Sequence, residues 1–165
     1  MGAGLSTQGT LRVELEWFEL SRAALVGVSR NVEALRKGCQ NRMPINDEWG
    51  IHILGACGEC AFAKGTNRYW NGGVNTFKGS DVGKNIQVRT RSHHHYDLIV
   101  RRSDHDTDVF VLVTGGPHEF ALRGWILASD AKQQKYMANH GGHGEAYFVP
   151  QSDLHSIEQL ICKEC

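Results

Sequence analysis

The fold of this chain is decided by residues 81–91, which read DVGKNIQVRTR. The second half of this stretch alternates apolar and polar residues, which is typical of a half-buried β-strand. Because successive strand residues point to opposite faces, Gln87 and Arg89 are predicted to share one face, with Ile86 and Val88 on the other.

The polar residues 83–85 inside this stretch indicate a turn. Such a turn would return Asp81 to a place beside Gln87. Upstream, Glu59 lies in a segment predicted as a helix from about Glu48 to Lys64. Small residues at three- and four-residue spacing from Glu59 would let this helix approach a sheet closely, with Glu59 facing it; they are Gly55, Ala56 and Ala63.

Hydrophobic periodicity predicts the other elements. Residues that recur at three- and four-residue spacing predict a first helix; they are Leu25, Val28, Val32 and Leu35. Helices are predicted at Phe18–Lys37, at Ser129–His140 with Ser129 as N-cap, and at Ser152–Cys162. Strands are predicted at Leu11–Leu15, Val74–Phe77, Ile86–Arg91, Asp97–Arg102, Val109–Thr114, Phe120–Leu127 and Ala146–Val149. The run at 109–113 is apolar on both faces, as in a central strand. The order predicts an α/β fold with a mixed central β-sheet flanked by helices.

The size and composition are those of an ordinary globular protein. The chain has 165 residues, of which 41% are hydrophobic and 22% charged, and its formal net charge is zero. We expect a single domain over residues 11–165 that follows a flexible N-terminus at residues 1–10. With neither a long apolar stretch nor a signal-peptide pattern, the sequence predicts a cytoplasmic protein that does not associate with membranes.

Positive charge is concentrated in residues 84–102. This segment contains one acidic residue, Asp97, and five basic residues; the basic residues are Lys84, Arg89, Arg91, Arg101 and Arg102. Such a patch beside acidic residues suits a polyanionic substrate such as nucleic acid, and a solvated sheet edge is the alternative interpretation. His93 begins a run of three histidines and is a candidate phosphate contact.

The residues Glu59 in a helix, Asp81 at the end of a strand and Gln87-Val88-Arg89 on the next strand resemble the motif of the PD-(D/E)XK nuclease superfamily. This superfamily includes many restriction enzymes, phage exonucleases and junction resolvases. The resemblance covers about residues 49–127 and implies a restriction-endonuclease-like fold. More loosely, three other segments are similar to small phage-encoded proteins assigned to that group; they are Tyr69–Gly72, Asp97–Arg101 and Gly124–Ile126.

The resemblance also implies a mechanism. Glu59, Asp81 and Gln87 would be catalytic residues and ligands of Mg²⁺ or Mn²⁺, with the carbonyl of Val88 as a further ligand. Arg89, the fourth catalytic residue, stands where lysine is commonest and would clamp a phosphate, because arginine stays protonated. Since the amide of Gln87 is uncharged, we expect weaker metal affinity than an acid would give.

The implied activity is metal-dependent hydrolysis of DNA phosphodiester bonds, in a phage or mobile-element setting within the host cytoplasm. Lys84, Arg91 and His93 would contact substrate. A chain of this size would require a homodimer or a partner for tight sequence specificity. The main alternative is a relative that binds nucleic acid or serves a structural role without turnover.

Two cysteine pairs support further alternatives. Cys57 and Cys60 form one C-x-x-C pair, and Cys162 and Cys165 form another. Together they could hold zinc, and the first pair alone could belong to a thiol oxidoreductase. Buried free cysteines that pack as small hydrophobes are the third interpretation.

Overall fold

The structure is a computed structural model that describes residues 9–39, 47–74, 79–140, 142 and 144–162. The predicted flexible segment lies almost wholly outside the described residues, as do 75–77 of the strand predicted at Val74–Phe77. The first elements are β1 (Leu11–Glu14), α1 (Trp17–Arg36) and α2 (Glu48–Gly65). They are followed by β2 (Ile86–Arg91), β3 (Leu98–Val100), β4 (Val109–Gly115) and β5 (Glu119–Leu127). The chain continues with α3 (Ala128–Ala131), β6 (Met137–Ala138), β7 (Ala146–Val149) and α4 (Ile157–Cys162).

The strands form two sheets. The larger has the order β1-β5-β4-β2, in which β2 and β4 run parallel and the other pairs are antiparallel. The smaller sheet has the order β3-β7-β6 and is antiparallel. The predicted α/β class with a mixed sheet is therefore confirmed, but the strands are divided between two sheets, and the smaller sheet packs on one face of the larger where a helix layer was expected. The strand predicted to be central, β4, is buried and lies between β2 and β5, as its apolar faces require.

The two faces of the larger sheet bury separate apolar clusters. One face packs Val88 and Val111 with α2 side chains such as Phe62. The other face packs Phe110 and other residues of β4 and β5 with the smaller sheet. Because side chains alternate along a strand, this division decides which residues of β2 face α2. No described helix is long and apolar enough to cross a membrane.

The helix α1 lies where it was predicted, but its larger apolar side chains do not form its buried face. Leu25 is 66% exposed. The buried positions of α1 are instead small or polar: Ala23, Gly27, Asn31 and Ala34. A Cβ atom at Gly27 would lie 2.5 Å from the Cα atom of Ile53 in α2, so the two helix backbones meet closely at this glycine.

The prediction of a helix at Ser129–His140 is wrong beyond its first turn. Helix α3 ends at Ala131, and a 3₁₀ turn and strand β6 replace the rest. Tertiary contacts explain the change: the hydroxyl of buried Tyr136 donates a hydrogen bond to Asp153 (2.7 Å), and β6 pairs with β7. The closing helix α4 begins at Ile157 and not at Ser152, because the His155 backbone bonds with Trp125 of β5.

Candidate functional site

The carboxylate of Glu59 is buried between α2, α1 and the loop that follows α2. Glu59 is only 5% exposed. Arg30 of α1 donates two hydrogen bonds to it, at 2.7 Å to Oε1 and 2.9 Å to Oε2. The indole Nε1 of Trp70 donates a third at 3.0 Å to Oε2. The Nε atom of Arg30 is in turn held by the carbonyl of Gly73 at 2.8 Å, so the guanidinium has a fixed orientation.

Asp81 lies in the turn before β2 and not at the end of a strand, as was expected. The turn returns the chain as predicted, but Asp81 meets β2 at Val88 and not at Gln87. The Asp81 N–H donates to the carbonyl of Ile86 (2.9 Å), and Gly83 inside the turn has a φ of 67°. The Oδ2 atom of Asp81 accepts a hydrogen bond from the N–H of Val88 at 2.7 Å. The turn thus places Asp81 against the edge of β2 at Val88.

Glu59 and Asp81 lie close enough for their charges to interact. Burial and, after it, the charge of Glu59 raise the pKa of Asp81 to about 6, although the Val88 N–H and the charges of Arg89 and Arg30 act in the opposite direction. Burial lowers the pKa of Arg30, but hydrogen bonds and charge from Glu59, with the charge of Asp81, raise it on balance. The structure therefore brings two carboxylates and one guanidinium into a single electrostatic cluster.

Gln87 and Arg89 lie on the other face of β2. Val88 packs with the cluster under α2, so its neighbours in sequence point away from Glu59. The Nε2 atom of Gln87 donates to Asp108 (3.3 Å), and Arg89 donates to both oxygens of Asp104 at 3.2 Å. The structure thus brings together two of the four predicted catalytic side chains, Glu59 and Asp81.

A cavity of about 520 Å³ opens beside Asp81. The predicted substrate contact Lys84 lines it, together with Arg68 and the 85% exposed Tyr69. These side chains combine two cations with an aromatic ring, which suits a phosphate and a base. The cavity therefore places carboxylate and cationic groups on one surface.

The other two predicted substrate contacts lie near the opposite end of β2. Arg91 donates to the carbonyl of Asp97 at 3.0 Å and lies over the ring of Tyr96 at 4.4 Å. His93 stacks on His95 with ring centroids 5.7 Å apart and meets the Tyr96 ring edge-on. Neither residue lines the cavity at Asp81.

Sequence reasoning did not identify Arg30 and Arg68 as part of this site. Arg30 is 29 residues from Glu59 in the sequence. It lies on α1, which was predicted from its apolar residues alone. Trp70 enters the sequence analysis only through the segment Tyr69–Gly72 and its loose resemblance to phage-encoded proteins, whereas its indole donates to Glu59. A signal for Arg30 exists in retrospect, because a helix predicted to bury an acid requires a cation on a neighbouring element.

The number of carboxylates at this site fits what a protein usually contributes to a Mg²⁺ site. Mg²⁺ in proteins is commonly held by one or two carboxylates, with water and substrate phosphate completing the shell. Asp81 and Glu59 supply two carboxylates, whereas the Val88 backbone meets Asp81 through its N–H, which donates a hydrogen bond and cannot ligate a cation. Within the described ranges, no group of three or more His, Cys, Asp or Glu residues could hold a metal ion.

The described cysteines differ in burial: Cys39 and Cys162 are exposed, so the interpretation as a buried packing residue is wrong for Cys162. Cys57, Cys60 and Cys162 are free thiols, and Cys57 is buried. Burial raises the pKa of the Cys57 thiol to about 11, which is opposite to the lowered pKa of a reactive thiol. The buried free cysteine interpretation is confirmed at Cys57, whereas Cys165 lies outside the described residues.

Comparisons of this chain with models of protein families, with curated proteins and with solved structures gave no match.

Proposed function

We propose that this chain is a Mg²⁺-dependent nuclease that hydrolyses DNA phosphodiester bonds, with Mn²⁺ as a substitute metal. The observation that carries the proposal is the charge interaction between Glu59 and Asp81, together with the cavity that Asp81 lines with Lys84 and Arg68. In this proposal the α/β sheet is a restriction-endonuclease-like one, and the order of α2, the Asp81 turn and β2 supports that assignment. The setting remains the host cytoplasm of a phage-encoded protein.

The electrostatics of the carboxylate pair support a cation partner. The negative charge of Glu59 raises the pKa of Asp81, so the two groups oppose each other's ionisation. Arg30 neutralises only one of the two charges. A divalent cation held by Asp81 and Glu59 would relieve this repulsion.

Each residue of the site has a role in the proposed reaction. When bound, Mg²⁺ would lower the pKa of a coordinated water and neutralise charge on the scissile phosphate. Lys84 and Arg68 would bind the phosphates of the strand, and Tyr69 would stack on a base. Arg30 and Trp70 are positioning residues, because they fix the Glu59 carboxylate. Arg89 lowers the pKa of Asp81 through its charge and so favours the ionised carboxylate.

A specific observation favours a second candidate, a nucleic-acid-binding relative without turnover. The two-point ion pair with Arg30 occupies both oxygens of Glu59, and Gln87 points to the other face of β2. A protein that has lost metal ligands but retains the cationic cavity would bind nucleic acid without hydrolysing it.

The test separates the two candidates with one isosteric change. Linear, nicked and single-stranded DNA are incubated with the protein and with Asp81→Asn, in Mg²⁺, Mn²⁺ or a chelator. Asn keeps an acceptor for the Val88 N–H but removes the charge. The control is Asp130→Asn, an exposed acid on α3 outside the cavity at Asp81. Metal-dependent cleavage that Asp81→Asn abolishes and Asp130→Asn retains supports the nuclease. DNA binding without cleavage in any metal supports the binding protein.

A further inference from the structure

We propose that a second cavity, at the far end of β2, binds a nucleotide unit: an aromatic base against Phe148 and His140, and its phosphate on Arg102 and Arg91. This nucleotide pocket has a volume of about 490 Å³, within the range of small-molecule sites. It shares no lining residue with the cavity at Asp81. The proposal does not depend on hydrolysis, so it stands or falls separately from the nuclease assignment.

One wall of the nucleotide pocket is flat and apolar. Phe148 of β7 lies opposite Ile99 of β3 in the antiparallel register, and Ala146 is two residues from Phe148 on the same strand. Residues opposite one another on paired strands share a face, so these side chains form a continuous surface. His140 packs edge-on to the Phe148 ring, with centroids 4.4 Å apart. An aromatic base could stack against such a wall without a specific hydrogen-bond pattern.

The lining of the pocket also contains cationic side chains. Its charged lining residues are Arg91, Arg101, Arg102 and Glu145. Arg102 and Glu145 form an ion pair at 2.8 Å whose side chains are 61% and 53% exposed. Exposed pairs of this kind are weak, so the Arg102 guanidinium is available to a phosphate, with which it can form two parallel hydrogen bonds.

Arg91 supplies a second, more buried cation. Its guanidinium donates to a backbone carbonyl, that of Asp97, and lies over the Tyr96 ring. Among the ion pairs of the described residues, none involves Arg91. Because no described carboxylate lies within ion-pair distance of this half-buried guanidinium, although the charge of Asp97 acts on it, an anionic ligand would gain more here than at an exposed cation.

The combination of aromatic and arginine side chains in this pocket favours a nucleotide over a simple anion. Inorganic phosphate would use the arginines and leave the aromatic wall unused, whereas an uncharged aromatic compound would do the reverse. The six-residue strand β2 separates this pocket from the turn that holds Asp81, a distance of roughly 17 Å at the usual rise per residue. The same chemistry could therefore be presented by a free nucleotide or by the end of a DNA strand a few nucleotides long.

The experiment measures binding by calorimetry with a chelator present, so that hydrolysis plays no part. The probes are dAMP, inorganic phosphate, deoxyribose 5-phosphate and a 5′-phosphorylated tetranucleotide. Four variants are compared with the unchanged protein: Arg102→Gln, Glu145→Gln, Phe148→Leu and the control Arg12→Gln. Arg12 lies on β1 and lines a different cavity.

The two changes within the exposed ion pair should act in opposite directions. We expect Arg102→Gln to weaken dAMP binding about tenfold, and Glu145→Gln to tighten it several-fold because the competing carboxylate is gone. Phe148→Leu should weaken dAMP but not phosphate, and Arg12→Gln should change nothing. Tighter binding of the tetranucleotide than of dAMP would assign the pocket to a strand end, and the reverse to a free nucleotide.

Three results would overturn the proposal. The first is the absence of dAMP binding to the unchanged protein at millimolar concentration, in a sample that circular dichroism shows to be folded. The second is phosphate binding as tightly as dAMP, which would leave the aromatic wall without a role. The third is equal affinity of Arg102→Gln and Glu145→Gln, because their charge changes have opposite signs.

Discussion

Arg30 of α1 and Glu59 of α2 form a two-point ion pair that ties the two helices together beneath the candidate site. The oxygens of Glu59 lie 2.7 and 2.9 Å from the two terminal nitrogens of Arg30. Their side chains are 19% and 6% exposed, so solvent screens the pair only in part. We expect this ion pair to stabilise the packing of α1 against α2. Because it neutralises Glu59, it also reduces the negative charge that Glu59 can offer to a metal ion.

Breaking this pair from one side should be strongly destabilising. We expect Arg30→Met to lower the free energy of unfolding by about 3 kcal/mol, because it leaves the Glu59 carboxylate buried without a cation. The double variant Arg30→Met with Glu59→Leu should lose less than the sum of the two single changes. Urea unfolding measures both quantities, and the coupling between the changes follows from the cycle.

The exposed pair Arg36–Glu33 on the same helix supplies the matched control. Its nitrogen and oxygen are 2.9 Å apart, but Arg36 is 71% exposed. We expect Arg36→Met to cost less than about 1 kcal/mol. Equal losses at Arg30 and Arg36 would contradict the view that burial makes the first pair important.

Asp81 should make the metal-free protein less stable as pH rises. Its pKa is raised from 3.8 in the unfolded chain to about 6 in the fold, so the folded state holds this proton more tightly. The favourable contribution of protonated Asp81 is complete below about pH 4 and is lost as pH rises through 6. The loss amounts to as much as about 3 kcal/mol.

The measurement compares the unchanged protein with Asp81→Asn in chelator at pH 4.5 and pH 7.5. Asn keeps the acceptor for the Val88 N–H and has no charge to bury. The variant should be the more stable of the two at pH 7.5, and the advantage should shrink at pH 4.5. An advantage that does not change with pH would show that burial of charge at Asp81 is not its source.

Most of the sheet could be predicted from the sequence because its signals are local. The alternation in residues 86–91 and the apolar run at 109–113 each depend only on neighbours in the chain. The segment after Ser129 could not be predicted in this way. There, pairing of β6 with β7 and the bond from Tyr136 to Asp153 outweigh a helix-compatible pattern. The exposed face of α1 has the same origin, since the close contact at Gly27 turns the larger side chains outward.

The candidate site, like the fold, could be predicted only in part. The turn that returns the chain to β2 could be predicted from residues 83–85. The small residues around Glu59 predicted that it faces the sheet, whereas its carboxylate bonds Arg30 of α1 and Trp70. The face of β2 that α2 covers could not be predicted. Alternation of apolar and polar residues defines two faces of a strand but does not determine which face packs against the helix. The structure resolves this choice in favour of Ile86 and Val88, so Gln87 points away from Glu59.

The glycines of α2 provide a paired test of how closely α2 approaches the sheet. A Cβ atom at Gly58 would lie 1.9 Å from Oγ1 and 2.8 Å from Cβ of Thr90, whereas one at Gly55 would meet nothing within 4 Å. We expect Gly58→Ala to destabilise the protein by about 1–3 kcal/mol through overpacking. Gly55→Ala should stabilise it by about 0.5–1 kcal/mol, because alanine is the better helix former. Urea unfolding of both variants checks the two signs, and equal signs would contradict the close approach at Thr90.

Divalent cations should stabilise the fold through Asp81 if the carboxylate pair is a metal site. A ligand that binds only the folded state at a hundred times its dissociation constant adds about 2.7 kcal/mol. Thermal unfolding at pH 7.5 is therefore compared in chelator, Mg²⁺ and Mn²⁺. The melting temperature of the unchanged protein should rise with metal, and that of Asp81→Asn should not. Asp130→Asn is the matched control, because it removes the same charge from the exposed surface of α3. An equal rise in all three proteins would place the metal effect elsewhere in the molecule and remove the main support for hydrolysis at this site.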